Sequence, residues 1–218
     1  MTEPQGPRRP LKSRDTGWAR ALAALLVRWR VRPNIISLLS VLFAAVAGTA
    51  LWLAPELGSR AAIGLLVVAA AGIQLRLMCN LLDGLVAIEG GMKSKSGELW
   101  NDLPDRFADG FVLLGAGYSL GSGWYGAELG WLATALAILT AYVRVLGGAA
   151  GAAQQFVGPM AKPHRMAAVT VACLLAAGER ALAQPPRAMP LALALVIVGC
   201  AITVARRTRR IAAELEAR

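Results

Sequence analysis

The chain has 218 residues, of which 56% are hydrophobic, a mean hydropathy of +0.54 and a formal net charge of +10. That is too much apolar surface for one water-soluble core, and it falls into blocks of membrane-spanning length, which predicts an all-α integral membrane protein. The three cysteines show neither a paired spacing nor a zinc pattern, so disulfides and thiolate metal sites are not expected. The basic residues flank apolar segments, which favours anionic lipid headgroups over nucleic acid as their partner.

Residues 1–32 are predicted to form a basic cytosolic arm followed by a juxtamembrane amphipathic helix. The first fifteen residues are rich in proline and arginine and cannot bury enough apolar surface to fold alone. From residue 16 onward, apolar residues that include Trp18 and Trp29 recur at helical spacing between arginines. This pattern favours a helix in the plane of the membrane interface, and a solvated basic helix is the alternative. The region is too polar for a cleavable signal peptide, so none is expected.

Six transmembrane helices are predicted between residues 33 and 205, and a basic cytosolic tail follows at 206–218. Their approximate ranges are 33–55, 61–88, 97–120, 129–148, 166–183 and 190–205. If both termini are cytosolic, eighteen lysines and arginines flank the helices on the cytosolic side and three on the other. This asymmetry predicts a protein of the cytoplasmic (inner) membrane with both termini, and the loop between the second and third helices, in the cytosol.

Residues 80–109 form an acidic stretch between two apolar segments. It holds six of the thirteen acidic residues of the chain. These are Asp83, Glu89, Glu98, Asp102, Asp105 and Asp109. Carboxylates are costly at membrane depth, so they require a function or a compensating cation. We interpret the stretch as a metal-centred active site.

Two sets of oxygen ligands are predicted to face each other within this stretch. Asn80 and Asp83 are three residues apart and share a face of the second helix, while Asn101 and Asp105 are four apart on the third. The short connecting loop makes these helices antiparallel neighbours. Carboxylate and amide oxygens without His or Cys suit hard divalent cations, Mg²⁺ first, with Mn²⁺ or Ca²⁺ possible.

The spacing of these residues resembles the signature of the CDP-alcohol phosphatidyltransferase family. That signature is D-x-x-D-G-x-x-A-R, about eight residues, and then G-x-x-x-D-x-x-x-D. Five positions match it, namely Asp83, Gly84, Ala87, Gly97 and Asp105. Three positions depart from it, with Asn80 and Asn101 in place of Asp and Ile88 in place of Arg. The signature is therefore degenerate, although its spacing is kept at every position.

The resemblance implies a homodimeric six-helix membrane enzyme of phospholipid biosynthesis. An alcohol hydroxyl would attack the phosphorus of a CDP-linked lipid, with CDP-diacylglycerol favoured, and CMP would leave. The acceptor would be a polar alcohol or an alcohol phosphate. By position, Asn80, Asp83 and Asn101 would bind two metal ions, and Asp105 would act as general base or shared ligand. Gly84, Ala87 and Gly97 would line the nucleotide pocket, although Gly84 and Ala87 are equally explained by small-residue helix packing.

The departures from the signature shape the other expectations. Two Asp-to-Asn changes should weaken metal binding unless neighbouring acids compensate, and Asp102 is added to the predicted ligands for this reason. Lys162, Arg165 and Arg144 resemble the family's basic residues that receive a phosphate, but positive-inside anchoring explains them as well. Arg76 and Arg106 would either replace the missing cation at position 88 or pair with acids, and His164 is expected at the surface.

Two other functions stay open at the level of sequence. The degenerate signature also fits a divergent membrane protein that binds nucleotide or lipid without transferring a group. A small transporter with the acids as a mid-path cation site is the third possibility. It requires acids at the bilayer midplane, whereas these are expected in the cytosolic third.

Overall fold

The structure is a computed structural model that describes residues 16–92, 96–121 and 125–217. The predicted N-terminal arm, Lys93, Lys95 and the side chain of Glu98 lie outside the described residues. Within the described ranges the chain is all-helical, as predicted, and forms seven α-helices without a strand. They are α1 (Gly17–Arg28), α2 (Pro33–Leu53), α3 (Ser59–Glu89), α4 (Gly97–Tyr118), α5 (Gly126–Ala149), α6 (Lys162–Ala181) and α7 (Ala188–Glu216).

Four of the six predicted membrane helices have the length and apolar composition to cross a bilayer. They are α2 with its short 3₁₀ extension (Pro33–Glu56), α3, α5 and α7. Helices α4 and α6 are long enough, but α4 carries the acidic stretch and α6 has charged residues at both ends. Both pack within the bundle, α4 against α2 and α5, and α6 against α3 and α7. That α4 and α6 also span the membrane stays a prediction.

Helices α2 and α4 approach each other closely because glycines meet at their crossing. A Cβ atom placed on Gly48 would overlap the backbone carbonyl of Phe111, and one placed on Gly115 would overlap the backbone of Gly48. Buried alanines, including Ala44 and Ala108, continue this interface in the main core. Small residues therefore bring the two backbones into contact, as is usual where helices associate in membranes.

The predicted amphipathic helix is present as α1. Its buried residues Ala19 and Ala23 pack in a cluster with Leu82 and Val86 of α3. Trp18 and Trp29 point outward and are 54% and 66% exposed. The buried alanines attach α1 to α3, and the placement of α1 in the plane of the membrane interface stays a prediction.

Helices α6 and α7 extend beyond their predicted ranges. Helix α6 begins at Lys162 because Pro163, in its first turn, is well tolerated where a backbone N–H has no helical partner. Helix α7 continues to Glu216 because the region after residue 205 contains neither glycine nor proline. Arg207 is buried in this extension and donates hydrogen bonds to the carbonyls of Val157 (3.0 Å) and Thr140 (2.5 Å). The start of the predicted tail is therefore packed against the bundle.

Candidate active site

Asp83 lies on the α3 face that points toward α2 and is 4% exposed. Its Oδ2 accepts a hydrogen bond of 2.9 Å from the hydroxyl of Ser37 on α2. Among the described residues, no basic side chain lies within ion-pair distance of this carboxylate. Asp83 is thus a buried carboxyl group without a direct cationic partner among the described residues.

Asn80 joins α3 to α4, as its spacing from Asp83 predicted. Its Nδ2 donates to Oδ1 of Asp105 at 2.5 Å, so these two side chains face each other. The prediction that α3 and α4 are close neighbours is otherwise wrong, because α3 packs mainly against α2 and α6, and α4 against α2 and α5. The Oδ1 of Asn80 is buried and has no hydrogen-bond partner in the described part of the chain. This amide oxygen is therefore available to a ligand.

Asp105 is 4% exposed and is surrounded by positive charge. Nη2 of Arg76 is 3.5 Å from Oδ1 of Asp105, and the Lys162 ammonium forms an ion pair with Oδ2. Nη2 of Arg106 lies 3.9 Å from the same Oδ2. The carboxylate predicted to act as a base is therefore held at both oxygens.

Asp109 forms a buried cluster that the sequence did not predict. Its Oδ1 is 2.6 Å from Nη2 of Arg76, and its Oδ2 is 2.6 Å from Nη2 of Arg165. Arg165 also donates to the carbonyl of Met160 at 3.1 Å. Asp109 thereby ties α3, α4 and α6 together. The four-residue spacing from Asp105 places both acids on one face of α4 and was the available signal.

Asp102 lies at the edge of the site. Its Oδ1 is 2.8 Å from Nη2 of Arg144 and 3.6 Å from Nη2 of Arg106, and its side chain is 39% exposed. The Arg144 guanidinium stacks over the ring of Phe156 at 5.5 Å from the ring centre. This position suits a contact with a large substrate at the mouth of the site better than one deep inside it.

The remaining predicted site residues are accessible to different degrees. Asn101 is exposed, and Gly84, Ala87 and Gly97 are partly exposed. Their predicted roles toward metal and nucleotide are not tested by these positions and stay predictions. His164 is exposed, as expected, and its Nδ1 lies 2.8 Å from the carbonyl oxygen of Pro159.

Four carboxylates and five basic side chains meet in this region. They are Asp83, Asp102, Asp105 and Asp109 with Arg76, Arg106, Arg144, Lys162 and Arg165. The described cluster therefore carries a formal excess of one positive charge, which suits an anionic substrate such as a phosphate ester.

The donors suit one hard divalent ion better than two. Asp83 offers an uncompensated carboxylate and Asn80 an unpartnered amide oxygen, both of which are ligands that Mg²⁺ accepts. Among the described residues, however, no group of three or more His, Cys, Asp or Glu side chains converges as a metal site. Asp105 is engaged by Lys162 and Arg76, which leaves it less available as a ligand.

No family model and no curated protein matches this sequence. Solved structures do match it, among them phosphatidylinositol phosphate synthase (PgsA1) of Mycobacterium tuberculosis with CDP-DAG bound, at 22% identity and a TM-score of 0.72. The match covers 88% of this chain and 92% of that one. The chain has the fold of this synthase.

Two further structures of the same synthase support the likeness. The complex with manganese and citrate gives a TM-score of 0.72 at 22% identity and covers 88% of both chains. The apo form gives a TM-score of 0.68 at 22% identity and covers 87% of this chain and 93% of that one. The all-helical fold agrees with what the family resemblance implied, whereas the six-helix membrane topology stays a prediction and the degenerate signature finds no family model to support it.

Proposed function

We propose that this protein transfers a phosphatidyl-type group from a CDP-linked lipid to a polar alcohol or alcohol phosphate and releases CMP. The observation that carries the proposal is the contact of Asn80 on α3 with Asp105 on α4, beside the buried Asp83 one turn from Asn80. It occurs in the fold in which the mycobacterial synthase was crystallised with CDP-DAG. We favour CDP-diacylglycerol as the donor.

The reaction is a displacement at phosphorus. The acceptor hydroxyl oxygen forms a bond to the phosphorus that carries the diacylglycerol, and the bond from that phosphorus to the CMP oxygen breaks. The hydroxyl proton passes to Asp105, and the electron pair of the broken bond leaves with CMP. A carboxylate in this role contributes about 100-fold to 10,000-fold to the rate.

The contacts of Asp105 suit a positioned base. Asn80 and Arg76 hold Oδ1 from the α3 side and fix the orientation of the carboxylate. The side chain of Lys162, which pairs with Oδ2, is 26% exposed. Its ammonium can therefore leave Asp105 and pair with an incoming phosphate. Oδ2 then becomes free to accept the hydroxyl proton.

A divalent ion, Mg²⁺ or Mn²⁺, belongs to this proposal. Asp83 and Asn80 Oδ1 would hold it, and the predicted ligand set adds Asn101 and Asp102 at the edge of the site. When bound, such an ion neutralises charge on the pyrophosphate and stabilises the departing CMP. In support, the mycobacterial synthase was also crystallised with manganese.

The basic residues divide into two groups in this proposal. Arg144 and Lys162 are partly exposed and contact the substrate phosphates, because each can exchange a carboxylate partner for a phosphate. Arg165 is 2% exposed and paired with Asp109, so it does not contact the substrate phosphates in this proposal. Its role is to hold α6 in place.

Gly84, Ala87 and Gly97 form the nucleotide side of the pocket. The proposal includes a homodimer with the site and both termini facing the cytosol.

The proposal is tested by CMP release from CDP-diacylglycerol in lipid nanodiscs, with Mg²⁺ and a panel of polar alcohols and alcohol phosphates. We expect release with at least one acceptor and a loss of about 100-fold or more in Asp83→Asn. Glu128→Gln, an equivalent change at an exposed acid in the first turn of α5, serves as the control and should retain release. Unchanged turnover in Asp83→Asn would contradict the proposal.

A non-catalytic binding protein is the second candidate. Asn80 and Asn101 in place of acids, together with the Lys162 pair on Asp105, favour it because they lower the affinity of the site for metal. Isothermal titration with CDP-diacylglycerol and Mg²⁺ separates the two functions. Saturable binding with no CMP release from any acceptor supports the second candidate and excludes the first.

A further inference from the structure

Asp83 and Asp105 are equally buried, but their charges are compensated differently. Asp105 has Asn80 and Arg76 on Oδ1 and Lys162 on Oδ2. Asp83 has the hydroxyl of Ser37 and, among the described residues, no cation within ion-pair distance. The described chain therefore supplies a direct counter-charge to one of these two acids.

Asp83 is buried without a direct cationic partner, so a cation from outside the described chain would stabilise its charged form. Removing a carboxylate from water is costly unless a cation or several hydrogen bonds replace the lost hydration. The buried, unpartnered Oδ1 of Asn80 lies one turn earlier on the same helix face. A carboxylate and an amide oxygen in this arrangement are typical ligands of a hard divalent ion.

Asp105 already has its positive charge. The Lys162 ammonium sits directly against Oδ2, where a second metal ion shared with this carboxylate would bind. The other departure from the signature, Asn101, has an exposed side chain one turn from Asp105. A second dication would therefore meet a neighbouring ammonium and one acid fewer than the family pattern provides.

We propose that the substrate-free site holds a single divalent ion, on Asp83 and Asn80, and that Lys162 takes the place of a second ion beside Asp105 until a substrate phosphate binds. This inference rests on the proposed function, because it concerns the same pocket. It departs from the two ions that the family resemblance implies.

The number of bound ions is measured by titrating the full chain in nanodiscs with Mn²⁺ and following free Mn²⁺ by electron paramagnetic resonance. We expect one ion per chain, and Asp83→Asn should weaken its binding about tenfold or more. Two ions per chain in the wild type would overturn the inference, and so would the absence of saturable binding.

A matched pair of variants identifies which asparagine contacts the ion. Asn80→Asp should tighten Mn²⁺ binding about tenfold or more, because a full charge is added to a ligand. Asn101→Asp adds the same charge at an exposed position and should change the affinity by no more than about threefold. Equal tightening in both variants would contradict the placement of the ion.

Lys162→Gln tests the role of the lysine. Loss of the ammonium should allow a second Mn²⁺ to bind, so the number of ions per chain should rise toward two. A value that stays at one in a folded Lys162→Gln protein would refute the replacement of an ion by Lys162. CMP release is scored separately in the same preparations. One bound ion without CMP release would support this inference and reject the proposed function. CMP release with two bound ions would reject this inference and support the proposed function.

Discussion

At the scale of single residues, Asp105 and Asp109 lie one turn apart on α4 and are given different tasks by their neighbours. Asp109 is 1% exposed and is held by two buried arginines, Arg76 and Arg165, each at 2.6 Å. Asp105 has the partly exposed Lys162 as its closest cation. The first arrangement holds three helices together, and the second is the ion pair that we propose a substrate phosphate exchanges.

Asp109→Asn should lower the free energy of unfolding by about 3–5 kcal/mol, because two buried arginines lose their counter-charge. The matched change Asp102→Asn should cost less than about 1 kcal/mol, since that ion pair is partly exposed. Thermal unfolding in detergent measures both variants. Similar midpoints for the two variants would show that the Asp109 cluster does not stabilise the fold.

At the scale of helices, the crossing of α2 and α4 depends on the absence of side chains. Gly115→Ala places a methyl group against the backbone of Gly48, and the helices must separate. We expect a destabilisation of about 1–3 kcal/mol, measured as a lower thermal midpoint. Gly64→Ala on α3 is the control, because a Cβ there meets nothing within 4 Å. It should be neutral or should stabilise the protein by up to about 1 kcal/mol.

Helix positions were predictable from the sequence because apolar blocks and glycine or proline punctuation define them. The predicted range 61–88 became α3 (Ser59–Glu89), and 97–120 became α4 (Gly97–Tyr118). Whether α4 and α6 cross the membrane is harder to predict, because both carry charged residues, of which Asp109 and Arg165 pair with each other inside the bundle. The periodicity of polar residues along one helix shows that the helix has a polar face, but it does not show which neighbouring helix packs against that face.

At the scale of the whole molecule, the spacing of the site residues predicted the contact between Asn80 of α3 and Asp105 of α4, but it did not predict the contacts that α6 makes with them. Asn80 and Asp105 do meet, as expected. The pairs of Lys162 with Asp105 and of Arg165 with Asp109 come from α6, more than fifty residues along the chain. Such pairs depend on how α6 docks, which residue spacing does not encode. The orientation in the membrane and the homodimer stay predictions.

In the proposed reaction Asp105 acts on the acceptor hydroxyl while Asp83 and Asn80 hold the donor side of the site. This assignment is tested most directly by measuring CDP-diacylglycerol binding and CMP release in one preparation of Asp105→Asn. We expect donor binding within about threefold of wild type and a loss of CMP release of about 100-fold or more, because a general base acts in the transition state. Wild-type rates of CMP release in Asp105→Asn would contradict it.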